Sequence, residues 1–343
     1  MGRTMGLDAD LVLEGGGVKG IALVGALSVL EERGYRFHRV AGTSAGAIVG
    51  SLVAAGIPAP RMQQIMTELD YRRFKDGGLL TRLGLPGQLL TLVATSGIYR
   101  GEYLLGWLRE LLDEQGVRTF ADLRDEDGGS SLPGDADYRL VVMASDISQG
   151  CLRRLPWDYR RYGCEPDEVE VVEAVRASMS IPYFFRSVKL RDRIEDANCW
   201  LVDGGMLSNF PVDVFDRRDG RTPRWPTFGI KLSAQADAAQ GIRHRVRGVA
   251  TMSTAMLGTL TSFYDRIHLE QDAVRARTIF IDTLKVRATD FDLDRATQQQ
   301  LYDNGRRAAE KFLDGADGEP GWDFDAYLER FRRPTTAAEE VPA

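Results

Sequence analysis

Gly42-Thr43-Ser44-Ala45-Gly46 places a serine two residues from a glycine on either side, between a short apolar strand ending at Ala41 and a helix beginning at Ala45. This is the layout of a nucleophile elbow. The turn is so sharp that a Cβ at either flank would clash, and the hydroxyl stands near a helix N-terminus, whose dipole favours developing negative charge. The same residues also read as a serine capping the helix over 45–56. A hydroxyl needs a base before it can attack. The chain has three histidines, His38, His244 and His268. His38 lies near the start of the strand that ends at Ser44, at the opposite edge of the sheet. His244 and His268 fall in a helix expected over 244–275, among charged residues. A carboxylate is the other option. Asp-Gly-Gly occurs at Asp76, Asp127 and Asp203, and Asp203 alone follows an apolar strand, Cys199–Val202. It therefore sits at a strand end, as Ser44 does. The plainer reading makes it a turn aspartate capping Gly204 and Gly205. With an ordinary pKa of about 4, it serves as a base only if held against Ser44 while an oxyanion hole carries most of the stabilisation.

Gly15-Gly16-Gly17-Val18-Lys19-Gly20 follows a strand over 10–14 and opens an apolar helix over about 18–33. Strand, glycine loop and helix together form an anion site of backbone N–H groups. Gly15-x-Gly17-x-x-Gly20 matches the spacing of a dinucleotide loop, but that use needs an acidic residue at the end of the second strand. Here that strand ends in Ala41-Gly42-Thr43-Ser44, while Glu31 and Glu32 lie in the helix. The loop lacks the Ser or Thr of a P-loop. The other chemistry such a loop could serve is an oxyanion hole for acyl transfer, with the dinucleotide reading kept as an alternative behind it.

These residues must be positioned by strands alternating with helices, which predicts a three-layer α/β/α fold with a central, mostly parallel sheet and the elbow at the C-terminal edge of a strand. Helices are expected over 60–73, 101–115, 167–179, 294–313 and 323–332. Strands are expected over 138–144, 151–155, 184–190, 198–202, 227–232 and 277–283. Residues 79–93 carry seven leucines and one valine with a single charge, Arg82. They read either as a buried connection or as an apolar flap over a lipid site. The last ten residues, 334–343, read as a disordered tail.

At 343 residues and 43% hydrophobic content, the chain can bury one large core or two smaller ones. A net charge of −6 does not suggest a nucleic-acid partner. Cys151, Cys164 and Cys199 lack C-x-x-C spacing, which fits a reduced, cytosolic chain without zinc. The beginning lacks a signal-peptide core, and Met1-Gly2 fails as a myristoylation site because position 6 is glycine. The longest uncharged runs, 83–99 and 248–264, hold 17 residues each and include Gly, Pro, Ser or Thr, so neither reads as a membrane span.

Taken together, Gly15–Gly20, Gly42–Gly46, Ala177-Ser178-Met179-Ser180-Ile181-Pro182-Tyr183-Phe184-Phe185 and Asp203-Gly204-Gly205 resemble the patatin-like phospholipases in content and order. The resemblance covers residues 10 to about 215 and implies a Ser–Asp dyad without histidine. Ser44 would be the nucleophile and Asp203 the general base. Gly15, Gly16 and Gly17 with Val18 would supply oxyanion N–H groups, supported by Lys19, Gly20, Gly42, Gly46, Gly204 and Gly205. The family commonly has arginine where Lys19 stands; lysine keeps the charge but not the planar fork. The resemblance implies a catalytic domain over 10–215; residues 216–343 add no assignable motif, and 216–333 are expected to form a C-terminal α/β extension packed on the same domain. The implied activity is hydrolysis of lipid acyl esters of the phospholipase A or lysophospholipase kind, without cofactor or metal. The setting would be cytosolic or membrane-peripheral. Transacylation, or binding of a lipid or partner without catalysis, are the alternatives.

Overall fold

Leu140–Asp146 is buried at every position, and so is Thr227–Lys231. Such runs mark strands covered by helices on both faces, where no polar alternation is needed. The computed structural model describes residues 7–77, 97–125, 136–233, 271–316 and 318–332, with Leu132 and a few positions between 246 and 259. In chain order these hold β1 (Leu7–Leu13), α1 (Gly20–Glu32), β2 (Tyr35–Thr43), α2 (Ala45–Ala54), α3 (Ala59–Glu68), β3 (Gly97–Tyr99) and α4 (Glu102–Asp113). Next come β4 (Leu140–Asp146), β5 (Cys151–Leu155), α5 (Val171–Ser178), β6 (Tyr183–Phe185), β7 (Val188–Asp192) and β8 (Ala197–Asp203). The chain continues with β9 (Thr227–Lys231), α6 (Asp272–Ala276), β10 (Thr278–Phe280), α7 (Arg295–Asp314), the short pair β11 (Gly315–Ala316) and β12 (Glu319–Pro320), and α8 (Phe324–Phe331).

Among the described residues the main sheet has eight strands, in the order β10-β9-β1-β2-β4-β8-β7, with β5 also on β4. The run from β10 to β4 is parallel, whereas β5, β8 and β7 join antiparallel. This is the mostly parallel α/β sheet flanked by helices that the alternating pattern predicts. Helix α1 is buried from Gly20 through Leu30 because it lies under both α3 and α7. Helix α4 shows the opposite regime, burying only the Leu104, Leu108 and Leu112 stripe.

The sequence expectations differ from the structure mainly at boundaries. The helix expected over 60–73 stops at Glu68. A separate 3₁₀ turn, Tyr71–Phe74, follows, with Asp70 accepting the Arg72 N–H. The strand expected over 184–190 is two strands in different sheets. β6 pairs with β3 and β7 with β8, and the chain changes partner where the Arg186 N–H donates to the Tyr99 carbonyl at 2.9 Å. The leucine-rich 79–93 segment, most of the helix expected over 244–275 and the 334–343 tail lie outside the described residues. Among the described residues, no helix is long and apolar enough to cross a membrane.

Candidate active site

Strand β4 brings the two candidate catalytic residues to one level from opposite directions. Thr43 at the end of β2 pairs with Met143, while Asp203 at the end of the antiparallel β8 pairs with Ala144. Beyond Thr43 the chain turns at once into α2, and Ser44 takes φ 52° and ψ −120°. Both flanking glycines are sterically required. A Cβ on Gly42 would sit 2.2 Å from the Gly46 carbonyl oxygen, and one on Gly46 would sit 2.2 Å from that of Leu13. Ser44 makes no side-chain cap on α2, so the capping reading of this serine fails. Its hydroxyl instead lies beside the Asp203 carboxylate, whose pKa it helps to lower, and both residues line one cavity.

Asp203 is also the turn aspartate of the plainer reading, since its Oδ1 accepts the Gly205 N–H at 2.8 Å. The two roles are compatible: the turn bond orients the carboxylate that Ser44 meets. Gly204 and Gly205 form the first residues of a 3₁₀ turn directly after Asp203. The carboxyl is only 6% exposed. Burial pushes its pKa up to about 6, against the lowering effect of the Gly205 N–H and the Ser44 hydroxyl. The other Asp-Gly-Gly aspartates do different things or lie elsewhere. Asp76 accepts the Gly101 and Tyr103 N–H groups at the start of α4, and Asp127 lies outside the described residues. His38 stacks on Trp225 with ring centroids 4.4 Å apart and has Nε2 3.2 Å from Asp8 Oδ1, so it takes no part at Ser44. His244 and His268 lie outside the described residues.

The glycine loop borders the same cavity, about 190 Å³, together with Ser44, Asp203, Ile181 and Ala288. Its four expected donors are not equivalent. The Gly15 N–H donates to the Asn209 carbonyl at 3.3 Å and the Val18 N–H to the Ala288 carbonyl at 3.1 Å. The Gly16 and Gly17 N–H groups make no hydrogen bond among the described residues, and both residues line the cavity. Gly17 has φ 57°, and a Cβ there would lie 1.9 Å from the Ala288 oxygen. Gly20 opens α1. Lys19 donates from Nζ to the Leu232 carbonyl at 3.4 Å. Burial lowers the pKa of Lys19, nearby Glu14 opposes this, and Lys231 adds to it. A second, apolar cavity shares Gly17 and Ile181 with the first and is walled by Met66, Phe74, Trp107 and Phe291.

Three further residues hold the site together, and two of them carry no pattern that marks them. Ser178 Oγ accepts the Ser44 N–H at 2.9 Å, fixing the elbow from α5. Asn209 Nδ2 donates to the Gly15 carbonyl at 3.0 Å, tying the glycine loop to the chain after Asp203. Ala288 closes the loop from the far end of the sequence. Ser178 lies within the Ala177–Phe185 stretch singled out above, whereas Asn209 and Ala288 sit in no motif.

Residues 11–216 match the family model described as patatin-like phospholipase. The chain belongs to the patatin-like phospholipases. Among its relatives in this family, the uncharacterized protein YqhO of Bacillus subtilis (strain 168) is 36% identical over 307 residues, covering 89% of this chain and 97% of that protein. A probable lipid hydrolase, 463L of Invertebrate iridescent virus 6, is 26% identical over 216 residues, or 60% of this chain and 62% of the viral protein. The crystal structure of VipD from Legionella pneumophila shares the fold with a TM-score of 0.50 at 17% identity, over 88% of this chain and 66% of VipD. The patatin-like match ends before β9, so Ala288 and Phe291 reach the site from outside it.

Proposed function

We propose that this patatin-like protein hydrolyses acyl esters of lipids through an acyl-enzyme on Ser44, with Asp203 as general base. The observation that carries the reading is Ser44 and the buried Asp203 brought by β2, β4 and β8 to the lining of one cavity, with the carboxylate pKa raised to about 6. A carboxylate raised toward neutrality is a stronger base than a solvated one, yet it remains ionised at pH 7. Ser44 Oγ attacks the ester carbonyl and passes its proton to Asp203. The Gly16 and Gly17 N–H groups, with the N-terminus of α2, receive the oxyanion. Collapse expels the alcohol, which takes the proton from Asp203. Water then attacks the acyl-enzyme with Asp203 again as base. The apolar walls behind Gly17 and Ile181 favour an apolar group beside Ser44, and the relationship to the probable viral lipid hydrolase favours a lipid substrate over other esters. The chain would meet that substrate at a lipid surface as a peripheral protein, without a cofactor or a nucleic-acid partner.

The test is to label the purified protein with a serine-directed fluorophosphonate and to assay phospholipids, lysophospholipids, neutral glycerides and short acyl esters. Labelling confined to Ser44 and release of fatty acid from at least one lipid class are expected. Full hydrolysis by Ser44→Ala would overturn the reading.

A further inference from the structure

Arg39 and Arg277 are 7% and 3% exposed, and both border a small cavity that shares no residue with the two cavities beside Ser44. Its walls come from β1, β2, the chain before β9 and β10, and α8, and they also include Arg332 just after α8. Two carboxylates face these three guanidiniums, and both are already engaged. Asp10 accepts from Arg39 Nε at 3.1 Å and Arg39 Nη2 at 2.5 Å. Asp216 accepts from Arg277 Nη1 and Nη2 at 2.6 and 2.7 Å, and from Arg332 Nη2 at 2.7 Å. Arg217, also in the wall, is paired with Asp219. The wall as a whole carries five arginines, Arg39, Arg217, Arg224, Arg277 and Arg332, against two carboxylates, Asp10 and Asp216, so positive charge is in excess there. Buried donors are left as well: Arg39 Nη1 and Arg277 Nε have no acceptor among the described residues.

A buried guanidinium with an unmatched N–H is costly, because the donor has given up water without gaining an acceptor. The planar fork makes this arrangement useful where an oxyanion is to be received. One edge is held rigid by a carboxylate while another remains open to a second acceptor. The cavity, about 30 Å³, admits a small group and no acyl chain. A single water needs roughly 10–15 Å³ on such a measure.

We infer that Arg39, Arg277 and Arg332 form a binding site for one small oxyanion group, phosphate- or carboxylate-type, separate from the Ser44 site. The group comes either from a free anion or from this chain's own carboxylates. Glu339 and Glu340 follow Arg332 by only a few residues in the sequence. The site does not depend on the hydrolase reading, since it uses none of the same residues.

The experiment is a thermal-shift titration of the full-length protein with sodium phosphate and, separately, sodium acetate, each against sodium chloride of equal ionic strength. Direct binding of phosphate is followed by ³¹P line broadening. A saturable rise in Tm with phosphate or acetate, absent with chloride, is expected. Arg332→Gln should weaken that binding at least tenfold and leave Ser44 labelling unchanged. Arg332→Lys, which keeps the charge without the fork and guards against simple misfolding of the Gln variant, should fall between the two. A rise confined to the Glu339→Gln/Glu340→Gln double variant would also support the site and identify its resident as the chain's own carboxylate. The inference is overturned if neither wild type nor that double variant shows a saturable effect, if chloride reproduces it, or if it survives intact in Arg332→Gln.

Discussion

Ser44 holds φ 52° and ψ −120°, a region that costs a residue with a Cβ about 1–3 kcal/mol. Glycine occupies it without that penalty, at the expense of about 0.5–1 kcal/mol of extra chain entropy. Ser44→Gly and Ser44→Ala should therefore both be inactive, with the glycine variant melting at the higher temperature; the reverse order in calorimetry would mean that the elbow is unstrained. Asp203 makes a prediction in pH. Its folded pKa of about 6 stands above the ordinary 3.8, so the charged form is the disfavoured one in the fold. Its contribution to stability is best below pH 3.8 and is lost as pH rises through about 6, by about 3 kcal/mol at most. Activity runs the other way, because the base must be ionised. kcat/KM should climb with unit slope to about pH 6 and then level off. Asp203→Asn should lower hydrolysis by about 10² or more and, at pH 8, melt no lower than wild type. A histidine requirement, shown by an equal loss in His38→Gln, would contradict the dyad.

The elbow as an element is held by steric contact beneath it and by a hydrogen bond beside it. Beneath, α2 approaches the end of β1 so closely that Gly46→Ala would put a methyl 2.2 Å from the Leu13 carbonyl oxygen. Backbone cannot yield that distance locally, so this variant should lose its cooperative unfolding transition by circular dichroism. Beside it, α5 offers Ser178 Oγ to the Ser44 N–H. Ser178→Ala leaves that buried N–H unpaired, which should cost about 1–3 kcal/mol of stability. It should also lower kcat with little change in KM, because the bond orients the proposed nucleophile rather than the substrate. Unchanged kcat would make the contact merely structural.

At the scale of the molecule, the family match stops at residue 216, but the sheet does not. β9 lies against β1, β10 lies outside β9, and α7 packs on α1. A fragment ending at residue 216 would expose the backbone edge of β1 and the apolar surface of α1 under α7. It should therefore be insoluble or unfolded when expressed alone, as judged by size-exclusion chromatography and amide dispersion. The site would suffer with it, since the Ala288 carbonyl that secures the Val18 N–H and the Phe291 ring lining the apolar cavity would both be gone.

The sequence by itself determined the features that depend on neighbouring residues. Gly-x-Ser-x-Gly between an apolar strand and a helix compels a sharp turn, and a glycine run after a strand exposes backbone N–H groups. An aspartate at a strand end can be told from two others that lack the strand. The parallel α/β sheet was legible for the same reason, because its strands and helices each carry their own period. Only the tertiary structure decided which partners those local features would find. Ser178 meets Ser44 across 134 positions of chain, and no periodicity records such a meeting. Nor does any spacing reveal that Asn209 and Ala288 claim the Gly15 and Val18 N–H groups, leaving Gly16 and Gly17 to face the cavity. The arginine cluster is equally silent in sequence, since β2, the chain before β10 and the end of α8 supply its three guanidiniums and converge only when the sheet closes. Local backbone geometry is written residue by residue, whereas the pairing of donors with acceptors is settled by which surfaces the folded core brings together.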